Sequence, residues 1–203
     1  MSTIPLAKAF DPTKFKGRVL MSEKLDGVPV RFDFSFNGPL APVSRQNKPV
    51  TSLDHIHAEL SRQWERISKE SRTIGALNAV VVGEVTHTVF KDFKDISGAV
   101  RANSVDERLR LNVFDGYLND PEDGYFTRII DLSRWLGTDP TALVRVVPQR
   151  LCPADANIEQ EAKTLLSDIT NVFRRNPEGL ILRDATAPFK PGTRHWDYQK
   201  YVI

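Results

Sequence analysis

The stretch SEKLDGV at residues 22–28 is the part of the chain around which the rest can be arranged. It follows an apolar run at residues 19–21 and ends at Gly27, which is typical of a strand that runs into a tight turn. Residues two apart on a strand point to the same face, so Lys24 and Asp26 are predicted to project together. A lysine with an unperturbed pKa of about 10.4 is a poor nucleophile at neutral pH. A carboxylate two residues away favours its charged form, so a reactive Lys24 needs cations supplied by other segments.

Composition and charge are those of an ordinary globular protein. The 203 residues are 40% hydrophobic and 27% charged, a length that fits one large domain or two small ones. The net charge of +2 means that any binding of nucleic acid depends on a local basic face. The single cysteine, Cys152, excludes an intrachain disulfide and suits a reducing compartment. No apolar run approaches the roughly 20 residues that span a membrane, and the N-terminus lacks a secretory signal, so we expect a cytoplasmic location.

Several strands are predicted from hydrophobic patterns. Strict alternation at residues 30–36 predicts a half-buried strand, and residues 40–45 are its expected return strand after a turn. The continuous apolar run at residues 79–85 predicts a fully buried strand. It carries Glu84 near its end, and a buried glutamate is costly unless it has partners. Further strands are predicted at residues 19–24, 109–117, 144–147, 177–183 and 196–203.

Helices alternate with these strands. Ser52 is a predicted N-cap of a helix whose apolar residues recur at helical spacing up to Ile67. Residues 1–17 are expected to be an irregular arm that packs on the body. Because the hairpins favour antiparallel pairing, we predict an α+β fold with helices packed on antiparallel sheets. The other predicted helices cover residues 90–101, 125–136 and 156–174.

The ordered set of short motifs resembles a known family. Along the chain these are KLDG at 24–27, SR at 44–45, VGE at 82–84, VFD at 113–115, EGLI at 178–181, and Lys200. They resemble the successive nucleotidyltransferase motifs of ATP-dependent DNA ligases, whose wider superfamily includes RNA ligases and mRNA capping enzymes. The resemblance runs from PLAK at residues 5–8 to the end of the chain and is closest to small bacterial or phage ligases. It implies that residues 1–203 form an ATP-grasp-like nucleotidyltransferase domain, the adenylation domain of such an enzyme.

The resemblance also implies roles for the matching residues. Lys24 would attack the α-phosphate of ATP, release pyrophosphate and carry AMP as a phosphoramidate. Phe114 would stack on the adenine, and Glu84 would hold the ribose hydroxyls or help to bind a metal. Glu178 would bind a divalent metal, Mg²⁺ or Mn²⁺, and Lys200 would lie at the α-phosphate.

Further nucleotide contacts are implied for residues beside these motifs. Arg45 would contact the ribose or the 5′-phosphate of a nick. Ser22, two residues before the lysine, would touch the adenine edge, and Glu23 and Asp26 are the other candidate nucleotide-binding residues of this stretch. The family usually has an arginine at the position of Pro29. Arg31, two residues further along the strand, is the candidate replacement because it is predicted to face the same way.

Two departures concern the end of the chain. The last motif of the family is normally Lys-x-Lys, and here it reads Lys200-Tyr201-Val202, so one of two phosphate-directed lysines is missing. The chain also stops where these enzymes usually begin an OB-fold domain. We therefore expect the adenylation domain alone, which should bind nucleotide better than it ligates.

The implied reaction is nick sealing in duplex DNA by a monomer. AMP passes from the lysine to a 5′-phosphate, and the neighbouring 3′-hydroxyl then attacks and expels AMP. An RNA ligase would use the same lysine chemistry, and contacts to phosphates do not separate DNA from RNA. The motifs also leave open a GTP-using capping enzyme and a non-catalytic module that binds nicks or ends on a ligase scaffold.

Overall fold

The computed structural model describes residues 2–35, 37–70, 78–172 and 176–203, apart from the side chain of Glu70. The helices of this described part are α1 (Asp54–Glu70), α2 (Phe93–Arg101), α3 (Tyr125–Leu136) and α4 (Ile158–Asn171). A short 3₁₀ turn occupies Pro12–Lys14. The strands are β1 (Leu6–Ala9), β2 (Val19–Glu23), β3 (Val28–Ser35), β4 (Gly38–Pro39), β5 (Val43–Ser44), β6 (Ala79–His87), β7 (Leu109–Leu118), β8 (Val144–Val146), β9 (Arg150–Cys152), β10 (Gly179–Asp184) and β11 (Arg194–Val202).

The strands of the described part form two sheets. The first sheet has the order β1-β11-β10-β2-β9. The second has the order β4-β3-β6-β7-β8, with β5 also paired to β3. Pairing is antiparallel except between β1 and β11 and between β7 and β8, which are parallel. The α+β class with mainly antiparallel sheets is therefore confirmed.

The hydrophobic core has one part for each sheet. Helices α1 and α3 cover the second sheet, where the rings of Phe34, Trp64 and Trp135 pack with centroids 4.9–5.7 Å apart. Helix α4 covers the first sheet through a smaller cluster that contains Met21 and Leu166. Each sheet thus buries its helix-facing side, which leaves other faces free to form a site between the sheets.

The surroundings of strand β6 explain why its sequence is continuously apolar. Val81 and Val85 face the large cluster under α1 and α3. Val80 and Val82 face a third cluster, with Ile4 from the N-terminal segment. Because both faces of the strand are buried, hydrophobic residues occupy successive positions instead of alternating ones.

Three sequence expectations need correction. Residues 6–9 belong to β1 and are not an irregular arm, because they pair with β11, whose partner residues are about 190 positions away. Helix α1 begins at Asp54, and Ser52 does not cap it but donates its hydroxyl to the Val100 carbonyl at 2.6 Å. The predicted return strand at 40–45 is split into β4 and β5.

The remaining boundaries agree closely with expectation. Helix α3 has the predicted bounds, and α2 and α4 lie inside the predicted ranges. Strand β9 was not predicted. Residue 36, the predicted end of the strand at 30–36, and residues 173–174, the predicted end of the last helix, lie outside the described residues.

Candidate active site

A cavity of about 220 Å³ lies between the two sheets. Strands β2, β10 and β11 of the first sheet and β6 and β7 of the second contribute side chains to its wall. The structure therefore brings together motifs that are scattered along the whole chain. The predicted site residues that line it are Ser22, Glu23, Lys24, Arg45, Glu84, Phe114 and Lys200.

Lys24 directly follows β2, and β10 holds it in place. Its backbone N–H donates to the Gly179 carbonyl at 2.9 Å, and its Nζ lies 2.5 Å from Oε2 of Glu178. Gly179 has φ +152°, and a Cβ there would lie 2.0 Å from the carbonyl oxygen of Tyr201 on β11. Only glycine fits this close approach, which places Glu178 opposite the lysine although 154 residues separate them.

Two further carboxylates surround the lysine. Burial raises the pKa of Glu84 to about 8, and the negative charges of Asp26 and Glu178 act in the same direction, whereas Lys24 opposes them. Partial burial and the charge of Glu178 also raise the pKa of Asp26. Several acids thus share one neighbouring lysine, and ionising all of them together is unfavourable.

Gly27 explains how Glu84 is brought to this point. The backbone N–H of Gly27 lowers the pKa of Glu84 and so opposes the effect of burial. A Cβ at residue 27 would lie 2.3 Å from the Val85 carbonyl oxygen and 3.0 Å from Cγ of Glu84. The glycine after the lysine motif therefore allows the turn to pack directly on the end of β6.

The carboxylates fit a divalent metal of the magnesium type. Among the described residues, no group of three or more His, Cys, Asp or Glu side chains is placed to hold an ion by itself. Mg²⁺ is usually bound by one or two carboxylates together with substrate phosphates, and not by an all-protein cage. Glu84 and Glu178, which interact electrostatically, have the chemistry that such a pair requires.

A second, wider groove adjoins the cavity. Its volume is about 840 Å³, and it shares Lys24, Arg45 and Glu84 with the cavity. Asp26 lines this groove and not the cavity wall. Lys24 consequently stands where the two spaces meet, within reach of ligands in either one. The other polar residues that line the groove include Gln46, Lys48, Thr51, Ser97, Arg101 and Asn103.

Arg31 is placed differently from the other predicted residues. Its Nη1 donates to the Thr3 carbonyl at 3.0 Å, and its Nη2 lies 2.5 Å from Oδ1 of Asp33. In the part of the chain that the structure describes, Arg31 is not among the residues that line the cavity or the groove. The structure therefore does not bring this arginine to Lys24.

The N-terminal segment forms a wall of the cavity that sequence reasoning missed. Residues 4–7 line the cavity. The segment is anchored to the second sheet through the N–H of Thr3, which donates to the Arg45 carbonyl at 3.1 Å. It is anchored to the first sheet through the N–H of Leu6, which donates to the Thr193 carbonyl at 3.3 Å. The PLAK match pointed to this segment, but nothing in it predicted a strand.

Strand β11 contributes two residues to the cavity wall besides Lys200. Arg194 and Tyr198 also line the cavity, whereas Val202 is not among its lining residues. The alternation of strand residues, which places Tyr198 and Lys200 on one face, was the signal that could have identified the tyrosine.

A buried ionic network lies behind this wall. Asp115, next to Phe114, is fully buried and forms ion pairs with Arg128 at 3.1 Å and with Arg183. The hydroxyl of Tyr125 donates to the Phe114 carbonyl at 2.9 Å. These contacts fix the backbone that presents Phe114 to the cavity.

No helix in the described ranges has both the length and the apolar character required to cross a lipid bilayer.

Comparisons with known proteins identify the fold. No family model and no curated protein matches the sequence. Among solved structures, one named Pmar-Lig_Pre matches with a TM-score of 0.78 and 19% identity over 99% of this chain. The ATP-dependent DNA ligase from bacteriophage T7 in complex with ATP matches with a TM-score of 0.70 and 15% identity over 98% of this chain. The chain has the nucleotidyltransferase fold of ATP-dependent DNA ligases.

This fold is shared beyond the DNA ligases. An archaeal ATP-dependent RNA ligase matches with a TM-score of 0.62 and 17% identity over 98% of this chain. The chain spans 46% of Pmar-Lig_Pre, 68% of the T7 ligase and 48% of the RNA ligase. The predicted ligase-type nucleotidyltransferase fold is therefore confirmed, and the likeness concerns about half of the first and third of these proteins.

Proposed function

We propose that residues 1–203 form the adenylation domain of an ATP-dependent DNA ligase. The observation that carries this proposal is the position of Lys24 at the junction of a smaller cavity and a wider groove, 2.5 Å from Glu178. A lysine brought to acids from two distant motifs, Glu84 and Glu178, suits nucleotidyl transfer, which depends mainly on positioning and charge stabilisation. The fold shared with the T7 ligase, solved with ATP, supports this assignment.

The nucleotide occupies the cavity in this proposal. Phe114 stacks on the adenine, and Ser22 and Glu23 lie along the adenine edge. Arg45 and Glu84 bind the ribose. All five residues line the same cavity, which supports their assignment to one ligand. Lys200, on the same wall, binds the α-phosphate.

The first chemical step is self-adenylation. Nζ of Lys24 attacks the α-phosphorus of ATP, and a P–N bond forms. The bond from the α-phosphorus to the oxygen that bridges to the β-phosphate breaks, and its electron pair leaves with pyrophosphate. The attacking amine must lose a proton, and the Glu178 carboxylate at 2.5 Å is positioned to accept it.

A divalent metal ion would assist self-adenylation. Glu84 and Glu178 would hold Mg²⁺ or Mn²⁺, with Asp26 nearby in the groove. When bound, the ion would neutralise charge on the phosphates and on the acids. The protein's own contribution is to keep Lys24 and Lys200 at the reacting end of the cavity.

The second and third steps use a nicked duplex in the wider groove. A 5′-phosphate oxygen attacks the phosphorus of the lysyl-AMP, and the lysine leaves and regains its proton. The 3′-hydroxyl of the neighbouring strand then attacks the activated 5′-phosphate and expels AMP. Arg45 contacts the 5′-phosphate in this proposal, which its position on the lining of both spaces supports.

Intact mass spectrometry of the purified chain tests this proposal. It is measured as isolated, after pyrophosphate with Mg²⁺, and after ATP or GTP with Mg²⁺. We expect a mass increase of one AMP that pyrophosphate reverses and that Lys24→Ala abolishes. The matched control is Lys16→Ala, because Lys16 is exposed and contacts only the Thr13 carbonyl in the described residues. A GMP adduct, or no adduct even with an OB-fold domain supplied in trans, contradicts the proposal.

An RNA ligase is the second candidate, favoured by the fold shared with the archaeal RNA ligase. Gel assays with matched nicked DNA, nicked RNA and hybrid duplexes separate the two. We expect AMP transfer to nicked DNA to be the fastest. Faster transfer to an RNA 5′-phosphate would assign the chain to the RNA ligases instead.

A further inference from the structure

Tyr198 occupies a place in the cavity wall that the proposed nucleotide contacts leave unused. It lies two residues before Lys200 on β11, and both side chains line the cavity together with Glu84 and Phe114. Tyr198 is only partly exposed. This face of β11 thus presents one lysine and one phenol to the cavity.

The Tyr198 ring is held in position by a contact with Arg183. The guanidinium carbon of Arg183 lies 3.7 Å from the centre of the Tyr198 ring, a cation–π contact. Arg183 is itself fixed by its ion pair with the buried Asp115. The phenol is therefore preorganised, since its ring cannot turn away without breaking a buried contact.

The phenol keeps its proton at neutral pH. Burial raises the pKa of Tyr198, the Arg183 guanidinium opposes this effect, and the charges of Asp115 and Glu84 add to it. The influence of Glu84 places its carboxyl within electrostatic range of the phenol. The wall thus offers a neutral O–H donor near a carboxyl oxygen of Glu84 that can accept a hydrogen bond.

A donor paired with an acceptor is the chemical complement of a hydroxyl group. A hydroxyl accepts one hydrogen bond and donates another. We propose that Tyr198 is a nucleotide-binding residue whose phenol O–H donates to a ribose hydroxyl, which in turn donates to Glu84. This inference rests on the proposed function, because it requires a nucleotide in this cavity.

The test uses nucleosides, which bind without chemistry. Calorimetry gives the Kd of adenosine, 2′-deoxyadenosine and 3′-deoxyadenosine for the wild-type chain and for Tyr198→Phe, which keeps the ring over Arg183. The matched control is Tyr201→Phe, because Tyr201 packs on Phe10 at 5.0 Å and is not among the cavity residues. Melting temperatures of all three proteins confirm that the variants fold.

We expect the wild-type chain to prefer adenosine over one of the deoxynucleosides by roughly tenfold, the value of one good hydrogen bond. Tyr198→Phe should weaken adenosine binding by a similar factor and abolish the preference, whereas Tyr201→Phe should behave as wild type. An unchanged preference in Tyr198→Phe, or an equal loss for all three nucleosides, overturns the inference. If the wild-type chain forms the AMP adduct, only this inference has failed. If it binds neither adenosine nor ATP, the proposed function fails as well.

Discussion

Two acidic side chains on neighbouring strands have opposite electrostatic surroundings. Asp115 on β7 is fully buried, and two guanidinium groups, those of Arg128 and Arg183, form ion pairs with it. Glu84 on β6 has no ion pair within 4.0 Å in the ranges that the structure describes. Its charged neighbours are one lysine, Lys24, and other carboxylates, and its pKa is raised to about 8.

This difference distinguishes Asp115, which supports the fold, from Glu84, which belongs to the candidate site. A buried acid with two cationic partners is satisfied, and it holds the strands in place behind the cavity. A partly buried acid beside other acids is unsatisfied until a cation or a hydrogen-bonding ligand arrives. Asp115 should therefore matter chiefly for stability, and Glu84 chiefly for ligand binding.

Asp115→Asn should give the largest loss of stability. The substitution keeps the shape but leaves two buried guanidinium groups without a negative partner, which costs about 3–5 kcal/mol. Chemical denaturation measures the free energy of unfolding. The matched control is Asp131→Asn, whose partner Arg134 is exposed, and it should change stability by less than about 0.5 kcal/mol. Equal effects at the two positions would contradict the structural role of Asp115.

Gly27→Ala should have an intermediate effect. The new Cβ would meet the Val85 carbonyl at 2.3 Å and push on the Glu84 side chain, at a cost of about 1–3 kcal/mol. Adenylation measured by intact mass should slow as well, because Glu84 is displaced. Gly98→Ala is the matched control, since open space surrounds Gly98 inside α2, and it should stabilise by up to about 1 kcal/mol. A tolerated alanine at residue 27 would show that the turn does not position Glu84.

The pH dependence of stability tests the raised pKa of Glu84. Between the usual glutamate value of 4.5 and the folded value of about 8, the unfolded chain has lost this proton while the folded chain keeps it. Stability should therefore fall as the pH rises through this window and level off above pH 8.

The contribution of Glu84 is the difference between wild type and Glu84→Gln. That difference should fall by up to about 1.4 kcal/mol per pH unit, measured by denaturation at pH 5, 6, 7 and 8. A flat difference for Glu84→Gln would mean that this carboxyl is not destabilised by its surroundings.

Sequence patterns predicted the elements better than their partners. The apolar run of β6 and the bounds of α3 follow from local hydrophobic periodicity, which each segment carries by itself. Strand β1 was missed because four residues beside Pro5 carry little periodicity and their partner strand begins at Arg194. Local patterns do not report such long-range pairing.

The site was predictable where a motif carried it. Lys24 and Glu178, from two motifs far apart in the sequence, lie 2.5 Å apart, and Gly179 beside Glu178 allows the close strand contact; their roles stay predictions. Arg31 does not line the cavity, and its guanidinium forms an ion pair with Asp33, which shares its strand face. Tyr198 was missed because the last motif covers Lys200 and the residues after it, whereas the strand continues the cavity wall on the residues before it.

Peptide mapping of the adenylated chain identifies the residue that carries AMP. The chain is incubated with ATP and Mg²⁺, digested with trypsin at mildly alkaline pH to preserve the P–N bond, and analysed by tandem mass spectrometry. Trypsin cannot cleave after a modified lysine, so we predict one AMP on the undivided peptide of residues 19–31, localised to Lys24. AMP on another lysine such as Lys200, with the peptide cleaved normally after Lys24, would contradict the account.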